Sequence, residues 1–341
     1  MARGDLLTKL FRSYKNADNA GFLDAATHII EDEHKKHHSV LATELSRILN
    51  VDSMPVLPDM RMALNNLPRD TERGTNLLDV RRPDKFMQDL VLSDLQLEPI
   101  HEVLEEYQQH EILEANGLRP RTKLLFCGPP GCGKTVTAEA MANELGLPLL
   151  YVRFDSVVSS LLGETATNLR KVFEYAARGT WVLFFDEFDA VGRSRDDAVE
   201  HGELKRVVNT FLQLLDSFQS RSLVIAATNF EQVLDPALWR RFDEIVRFEK
   251  PDRPQIERLL QKYFLGKVKT EKVLHSLVDA FFGLTHAEIE RVCLDALRKL
   301  ALKGSRELTQ EDVSKALVSQ QRRKQALARA ETTTAPRVDQ E

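Results

Sequence analysis

A stretch a little beyond the first third of the chain reads Gly128, Pro129, Pro130, Gly131, Cys132, Gly133, Lys134, Thr135, which satisfies the pattern G-x-x-x-x-G-K-[ST]. The apolar run Lys123–Cys127 precedes it and a helix-forming stretch over residues 135–145 follows, so a strand enters a glycine-rich turn and a helix leaves it. Glycines let the backbone curl until its N–H groups face one point, and the start of the next helix adds partial positive charge. Such a turn receives a phosphate. Lys134 is expected to reach the terminal phosphates of a nucleotide, and the Thr135 hydroxyl to ligate Mg²⁺.

The run Val182, Leu183, Phe184, Phe185, Asp186, Glu187 is an apolar strand ending in two acids. A buried strand of a parallel sheet delivers its last residues to the edge that carries the phosphate loop. Asp186 is therefore expected to hold Mg²⁺ through water, and Glu187 to polarise the water that attacks the terminal phosphate. Hydrolysis of a nucleoside triphosphate is the activity these residues imply.

The rest of the chain supplies the frame. Further strands are expected over residues 149–153, Leu223–Thr228 and 244–248, with helices over 135–145, 168–177 and 202–215. That alternation implies a parallel sheet covered on both faces, an α/β fold. After Pro251 and Pro254 the spacing is helical over 255–264, 271–277, 287–303 and 309–318. Thr309, three residues before Asp312, is a capping-box-like start. The first fifty residues are also helical by spacing, and their seven acids and seven bases cancel, which suits packing or protein contact. Pro55, Pro58, Pro68 and Pro83 then interrupt any long period. The expected organisation is a helical N-terminal domain over 1–50, a linker over 51–85, a large α/β domain over 86–250, a small helical domain over 251–319, and a disordered tail over 320–341.

Composition excludes several classes. Hydrophobic residues make up 43% and charged residues 29% of the 341, the balance of a soluble globular protein. The longest apolar runs are five or six residues, whereas a membrane span needs about 20. No membrane association is expected, and the charged first ten residues do not read as a secretory signal. Three cysteines without paired spacing exclude a disulfide scaffold and a zinc knuckle, and suit the cytoplasm. His34, His37 and His38 have no matching ligand set. A net charge of −5 leaves no global footprint for nucleic acid, although Arg322, Arg323 and Lys324 form a local basic run.

With these motifs in this order, residues 89–317 resemble the AAA ATPases of the AAA+ group. The resemblance identifies Gly128 through Thr135 with Walker A of the P-loop and Phe184 through Glu187 with Walker B. It implies an AAA+ large domain followed by a helical lid, with ATP and Mg²⁺ as cofactors. Ala226, Ala227, Thr228 and Asn229 resemble the sensor-1 strand end, where Asn229 would help position the attacking water. The run from Leu234 to Asp243 resembles the second region of homology, whose arginines reach a neighbouring subunit's nucleotide. Here Arg240 and Arg241 are adjacent, where many relatives place Pro-Gly between them, and the alternative for the pair is a surface ion-pair cluster with Asp243 and Glu244. Gly283 through Glu288 resembles the sensor-2 region, in which His286 has either a nucleotide contact or a capping and packing role, and Ile256 would wall the base. Leu161 and Leu162 fall at the first pore loop, with Leu161 in the usual aromatic position, the alternative being local packing. Residues 193–200, rich in both charge signs, resemble the second pore loop, the alternative being a solvated loop.

The resemblance further implies a homo-oligomer, a hexameric ring that couples ATP hydrolysis to remodelling of a protein substrate. The N-terminal bundle would dock that substrate or an adaptor. A looser likeness, over residues 113–216, is to bacterial AAA ATPases encoded beside subtilisin-like proteases, which implies a partner serine protease. The alternative is a nucleotide-dependent assembly switch or a nucleic-acid-associated ATPase that threads no polypeptide.

Overall fold

The apolar runs between residues 123 and 247 become strands of one sheet, and the helical spacings between them become its covering layers. The structure is a computed structural model. It describes residues 4–15, 21–22, 24–26, 28–29, 67–71, 73–157, 162–188, 198–229, 239–264, 277–304 and 308–334. The chain divides into two compact units, Met1–Asn66 and Leu67–Glu341. No helix among the described residues is long and apolar enough to cross a membrane.

The first unit contains α1 (Gly4–Lys15) and further helical residues between 21 and 29. Lys9 Nζ and Asp24 Oδ2, 2.6 Å apart, join the two segments, and Ala25 is fully buried. The helical spacing expected around residues 41–49 and the cluster His34, His37, His38 lie outside the described residues.

The second unit is built on a six-stranded sheet of order β1-β3-β4-β5-β2-β6. Its strands are β1 (Leu78–Arg81), β2 (Lys123–Cys127), β3 (Leu149–Val152), β4 (Val182–Phe185), β5 (Leu223–Thr228) and β6 (Glu244–Arg247). Every neighbouring pair is parallel except β1 with β3, which is antiparallel. Between the strands run α2 (Asp94–Gln108), α3 (His110–Ala115), α4 (Lys134–Glu144), α5 (Phe154–Val157), α6 (Leu162–Ala176) and α7 (Ala198–Ser217).

Successive side chains of a strand point to opposite faces, and β4 shows the consequence. Phe184 joins Leu124, Phe126 and Met141 in one core cluster. Its neighbour Phe185 stacks on Phe173 and meets Phe211 edge-on at 5.2 Å between ring centroids. Both faces of the central strands are thus apolar, which is why β4 and β5 read as continuous hydrophobic runs. Arg121 pins the outer edge, with Glu102 and Glu106 of α2 and Glu244 of β6 each within 2.7 Å.

The helices after the sheet are α8 (Arg253–Phe264), a turn of helix over 277–281, α9 (His286–Leu302) and α10 (Gln310–Thr334). They enclose their own core, including Ile256, Leu260, Phe264, Phe281, Ile289, Cys293 and Ala316. The described C-terminal part is all-helical, as the spacing predicts. Thr309 and Asp312 form the anticipated cap of α10, with the Thr309 hydroxyl donating to Asp312 Oδ2 at 2.7 Å.

Two segments depart from the expected organisation. Residues 78–81, assigned to a linker, form β1, because Leu78 is buried when the segment pairs with β3 in register Leu78↔Val152. Residues 320–334, assigned to a disordered tail, continue α10. The stretch after Gln320 is rich in Gln, Arg, Lys and Ala, which favour helix. Gln320 is itself buried and Lys324 approaches Glu288 of α9 at 3.5 Å.

Candidate nucleotide site

The turn between β2 and α4 is the glycine-rich segment, and its backbone explains its glycines. Gly128 has φ +138°, and a Cβ there would lie 1.9 Å from the Phe248 carbonyl oxygen. The close approach is set by the sheet: Gly128 N–H donates to Thr228 O at 3.2 Å, and Phe248 N–H donates to Cys127 O at 2.7 Å. Gly133, at φ +103°, is the N-cap of α4, and its carbonyl accepts from both Thr137 N–H and the Thr137 hydroxyl at 2.9 Å. Lys134 is almost wholly buried, and its ammonium donates to Gly128 O at 2.6 Å and Pro129 O at 2.9 Å. Cys132 is fully buried, and burial pushes its thiol pKa up against the opposing charges of Lys134 and Lys250.

Asp186 and Glu187 leave β4 at the same edge. The Thr135 hydroxyl donates to Asp186 Oδ2 at 2.9 Å, so the turn and the acidic strand end meet through a direct contact. Asp186 Oδ1 accepts from Glu187 N–H at 2.9 Å. Among the described residues Glu187 is the one non-glycine residue with positive φ, at +51°. Strain of this kind costs about 1–3 kcal/mol and concentrates at working sites. Glu187 is exposed beside the buried Phe188, and Asn229 follows β5 at the same edge, half-buried. A further contact was not anticipated: Tyr151 of β3 donates its phenol to Asp186 Oδ2 at 3.3 Å. Burial, then the Asp186 charge, pushes the Tyr151 hydroxyl up to about 12.

The helical part reaches the turn through the start of α9. Thr285 caps this helix in a reciprocal box with Glu288. One residue into the helix, Ala287 N–H donates to Gly131 O at 3.0 Å. His286 Nε2 lies 3.1 Å from the Val91 carbonyl oxygen. A carbonyl accepts only, so Nε2 carries the hydrogen and the neutral ring presents Nδ1 as an acceptor. Nδ1 is buried without a partner among the described residues. Burial lowers the His286 pKa, partly opposed by the Val91 hydrogen bond. Ile256, expected to wall the base, is fully buried in the helical core.

Arg240 and Arg241 are both exposed. The acids nearest in sequence are engaged elsewhere: Asp243 Oδ2 accepts from Thr122 and Lys123 N–H at 2.9 Å, and Glu244 binds Arg121. Arg241 Nε approaches Asp216 Oδ2 at 3.0 Å, whereas Arg240 has no ion-pair partner among the described residues. Leu161 lies outside the described residues, as do residues 189–197 and 230–238; for Leu162 the backbone alone is described, as the first residue of α6.

Residues 124–250 match the family described as ATPase family associated with various cellular activities (AAA). An uncharacterized AAA family ATPase of Sinorhizobium fredii, y4kL, is 41% identical over 330 residues, which is 96% of this chain and 98% of that protein. The chain belongs to the AAA family of ATPases. This AAA ATPase is an ATP-binding hydrolase. It is also similar to the proteasome-activating nucleotidase of Thermococcus gammatolerans, 34% identical over 277 residues, covering 76% of this chain and 69% of that protein. The ATP-dependent zinc metalloprotease FtsH 1 of Conexibacter woesei is 32% identical over 249 residues, covering 71% of this chain and 38% of that protein. The AAA ATPase therefore spans well under half the length of that metalloprotease.

Proposed function

We propose that this AAA ATPase assembles into a hexameric ring and couples ATP hydrolysis to remodelling of a protein substrate in the cytoplasm. The observation that carries the reading is the reach of the similarity. It extends beyond the 124–250 match to 76% of the chain, in a relative named as a nucleotidase that activates a proteasome. In this reading the helical N-terminal segment, over 1–50, docks the substrate or an adaptor. The segment before residue 67 connects it to an ATPase domain that takes in β1 and runs to residue 250, the lid runs from 251 through α10, and Leu161 and Leu162 face the polypeptide.

Each residue of the site has a role that its surroundings support. The loop from Gly128 through Gly131, Cys132 and Gly133 offers backbone N–H groups to the phosphates, with Pro129 and Pro130 stiffening its turn. Lys134, buried against the loop carbonyls, moves its ammonium onto the terminal phosphates. The Thr135 hydroxyl and the Asp186 carboxylate are hard oxygen donors 2.9 Å apart, a pair suited to holding Mg²⁺. Bound there, Mg²⁺ neutralises charge on the phosphate oxygens. Glu187 takes a proton from the attacking water while Asn229 orients it. Arg240, exposed and without an ion-pair partner among the described residues, is the stronger candidate to cross to a neighbour's phosphate; Arg241 would first leave Asp216.

Sizing by light scattering of Glu187→Gln, with and without ATP and Mg²⁺, tests the assembly. The expected result is a hexamer that forms on ATP addition and persists, because the variant binds without hydrolysing. A particle of one or two subunits regardless of nucleotide would remove the shared site and leave a nucleotide-dependent switch as the better reading.

A further inference from the structure

β3 is bonded on one side to the edge strand β1 and on the other to β4, the strand that ends in the acids. Tyr151 occupies the register position opposite Phe184 and also opposite Asp79. Its ring lies 5.8 Å from the Phe184 ring, and the Arg81 guanidinium sits 3.6 Å from its centroid. Arg81 also approaches Glu139 of α4 at 3.6 Å. These contacts fix the ring from two strands and aim its hydroxyl at Asp186 Oδ2.

That oxygen accepts twice, from Thr135 at 2.9 Å and from Tyr151 at 3.3 Å, while Oδ1 accepts from Glu187 N–H. The three donors do not do the same work. Thr135 lies on the phosphate loop and is itself a proposed Mg²⁺ donor, so its hydroxyl has a second commitment. The Glu187 amide is adjacent along the chain and constrains Oδ1. Tyr151 alone of the three reaches Asp186 from a different strand of the sheet core. Hydrogen-bond partners of this kind fix a ligating carboxylate's direction and typically govern metal affinity.

We propose that Tyr151 is a positioning residue for the Mg²⁺ site, holding Asp186 Oδ2 in place through its phenol while Arg81 holds the ring. The proposal rests on the reading of Thr135 and Asp186 as the residues that hold Mg²⁺. Tyr151→Phe separates this role from packing, because it keeps the ring, the Phe184 contact and the Arg81 stack and removes the hydroxyl alone.

The probe is Mn²⁺, titrated into the full-length protein with a non-hydrolysable ATP analogue and followed by the loss of its free electron paramagnetic resonance signal. Tyr151→Phe is expected to weaken Mn²⁺ binding about tenfold, with unchanged analogue affinity in EDTA and an unchanged melting temperature. Its ATP turnover should approach wild type at high Mg²⁺ concentration. Wild-type Mn²⁺ affinity in Tyr151→Phe, alongside lost affinity in Asp186→Asn, would make Tyr151 a packing residue and overturn the proposal alone. Wild-type affinity in Asp186→Asn as well would overturn the metal reading and the proposal with it. Loss of analogue binding in EDTA by Tyr151→Phe would mark a general disturbance and equally overturn it.

Discussion

At Gly128 two constraints coincide, a backbone angle of +138° and a carbonyl oxygen 1.9 Å from where a Cβ would stand. The obstructing atom is backbone and cannot swing aside. Gly128→Ala is expected to cost about 2–3 kcal/mol of stability through strain and to abolish ATP binding, read by thermal unfolding and by titration with a fluorescent ATP analogue. Gly74 is the contrast: it has φ +63° with nothing within 4 Å, so Gly74→Ala should cost about 1 kcal/mol and leave binding intact. The same contrast explains what the sequence shows of the site. Gly128, Lys134, Thr135, Asp186 and Glu187 could be placed together from the chain alone, because each supplies an atom type the chemistry requires at a fixed offset from a strand end. Tyr151 could not. Its contact with Asp186 depends on the pairing of β3 with β4 and on which face a four-residue strand presents, and neither is written in the local pattern.

Among elements, α9 and α10 carry the clearest pH dependence. The neutral His286 ring is buried at the start of α9, and its pKa falls below the ordinary 6.5. In the window between the lowered value and 6.5 the unfolded chain binds the proton more readily, so stability is full above pH 6.5 and declines as pH drops below it. Protection factors of the first turns of α9, with the intrinsic pH dependence of amide exchange divided out, should fall on moving from pH 7.5 to 5.5, and His286→Gln should flatten that response. Asp312, held by Lys303 and by the Thr309 hydroxyl, has its carboxyl lowered to about 2. Its contribution is present above the ordinary 3.8 and is lost as pH falls toward 2. The cap of α10 was legible because Thr309 and Asp312 stand three apart, while the continuation of α10 past Gln320 was not. A polar stretch with many charges reads the same whether it is a solvated helix or a disordered tail, and the deciding contact, Lys324 with Glu288, comes from another helix. β1 was hidden for a related reason: a strand of four residues among prolines has no period of its own, and its partner lies some seventy residues on in the chain.

For the whole molecule, a shared active site has a test that single variants cannot supply. In the proposed ring Lys134→Ala is expected to lose ATP binding and Arg240→Ala to leave a neighbour's site incomplete, so each alone should be inactive. Mixed in equal amounts and allowed to exchange, they should recover roughly a quarter of wild-type turnover, since the head-to-tail interface of a ring pairs an intact loop with an intact arginine in that share of positions. No recovery in a steady-state ATPase assay would confine Arg240 to its own subunit. In the proposed ring copies of the chain meet one another, and the sheet bears on how those meetings end. Its outermost strands, β1 and β6, are four residues each and carry Asp79 and Arg81 on one side and Glu244 and Arg247 on the other. Short, charged borders give a passing copy little to extend by backbone pairing. Crowded together, these chains are left to recognise one another by side chains, which part again, and are guarded against the irreversible cross-chain zippering that ends in aggregates.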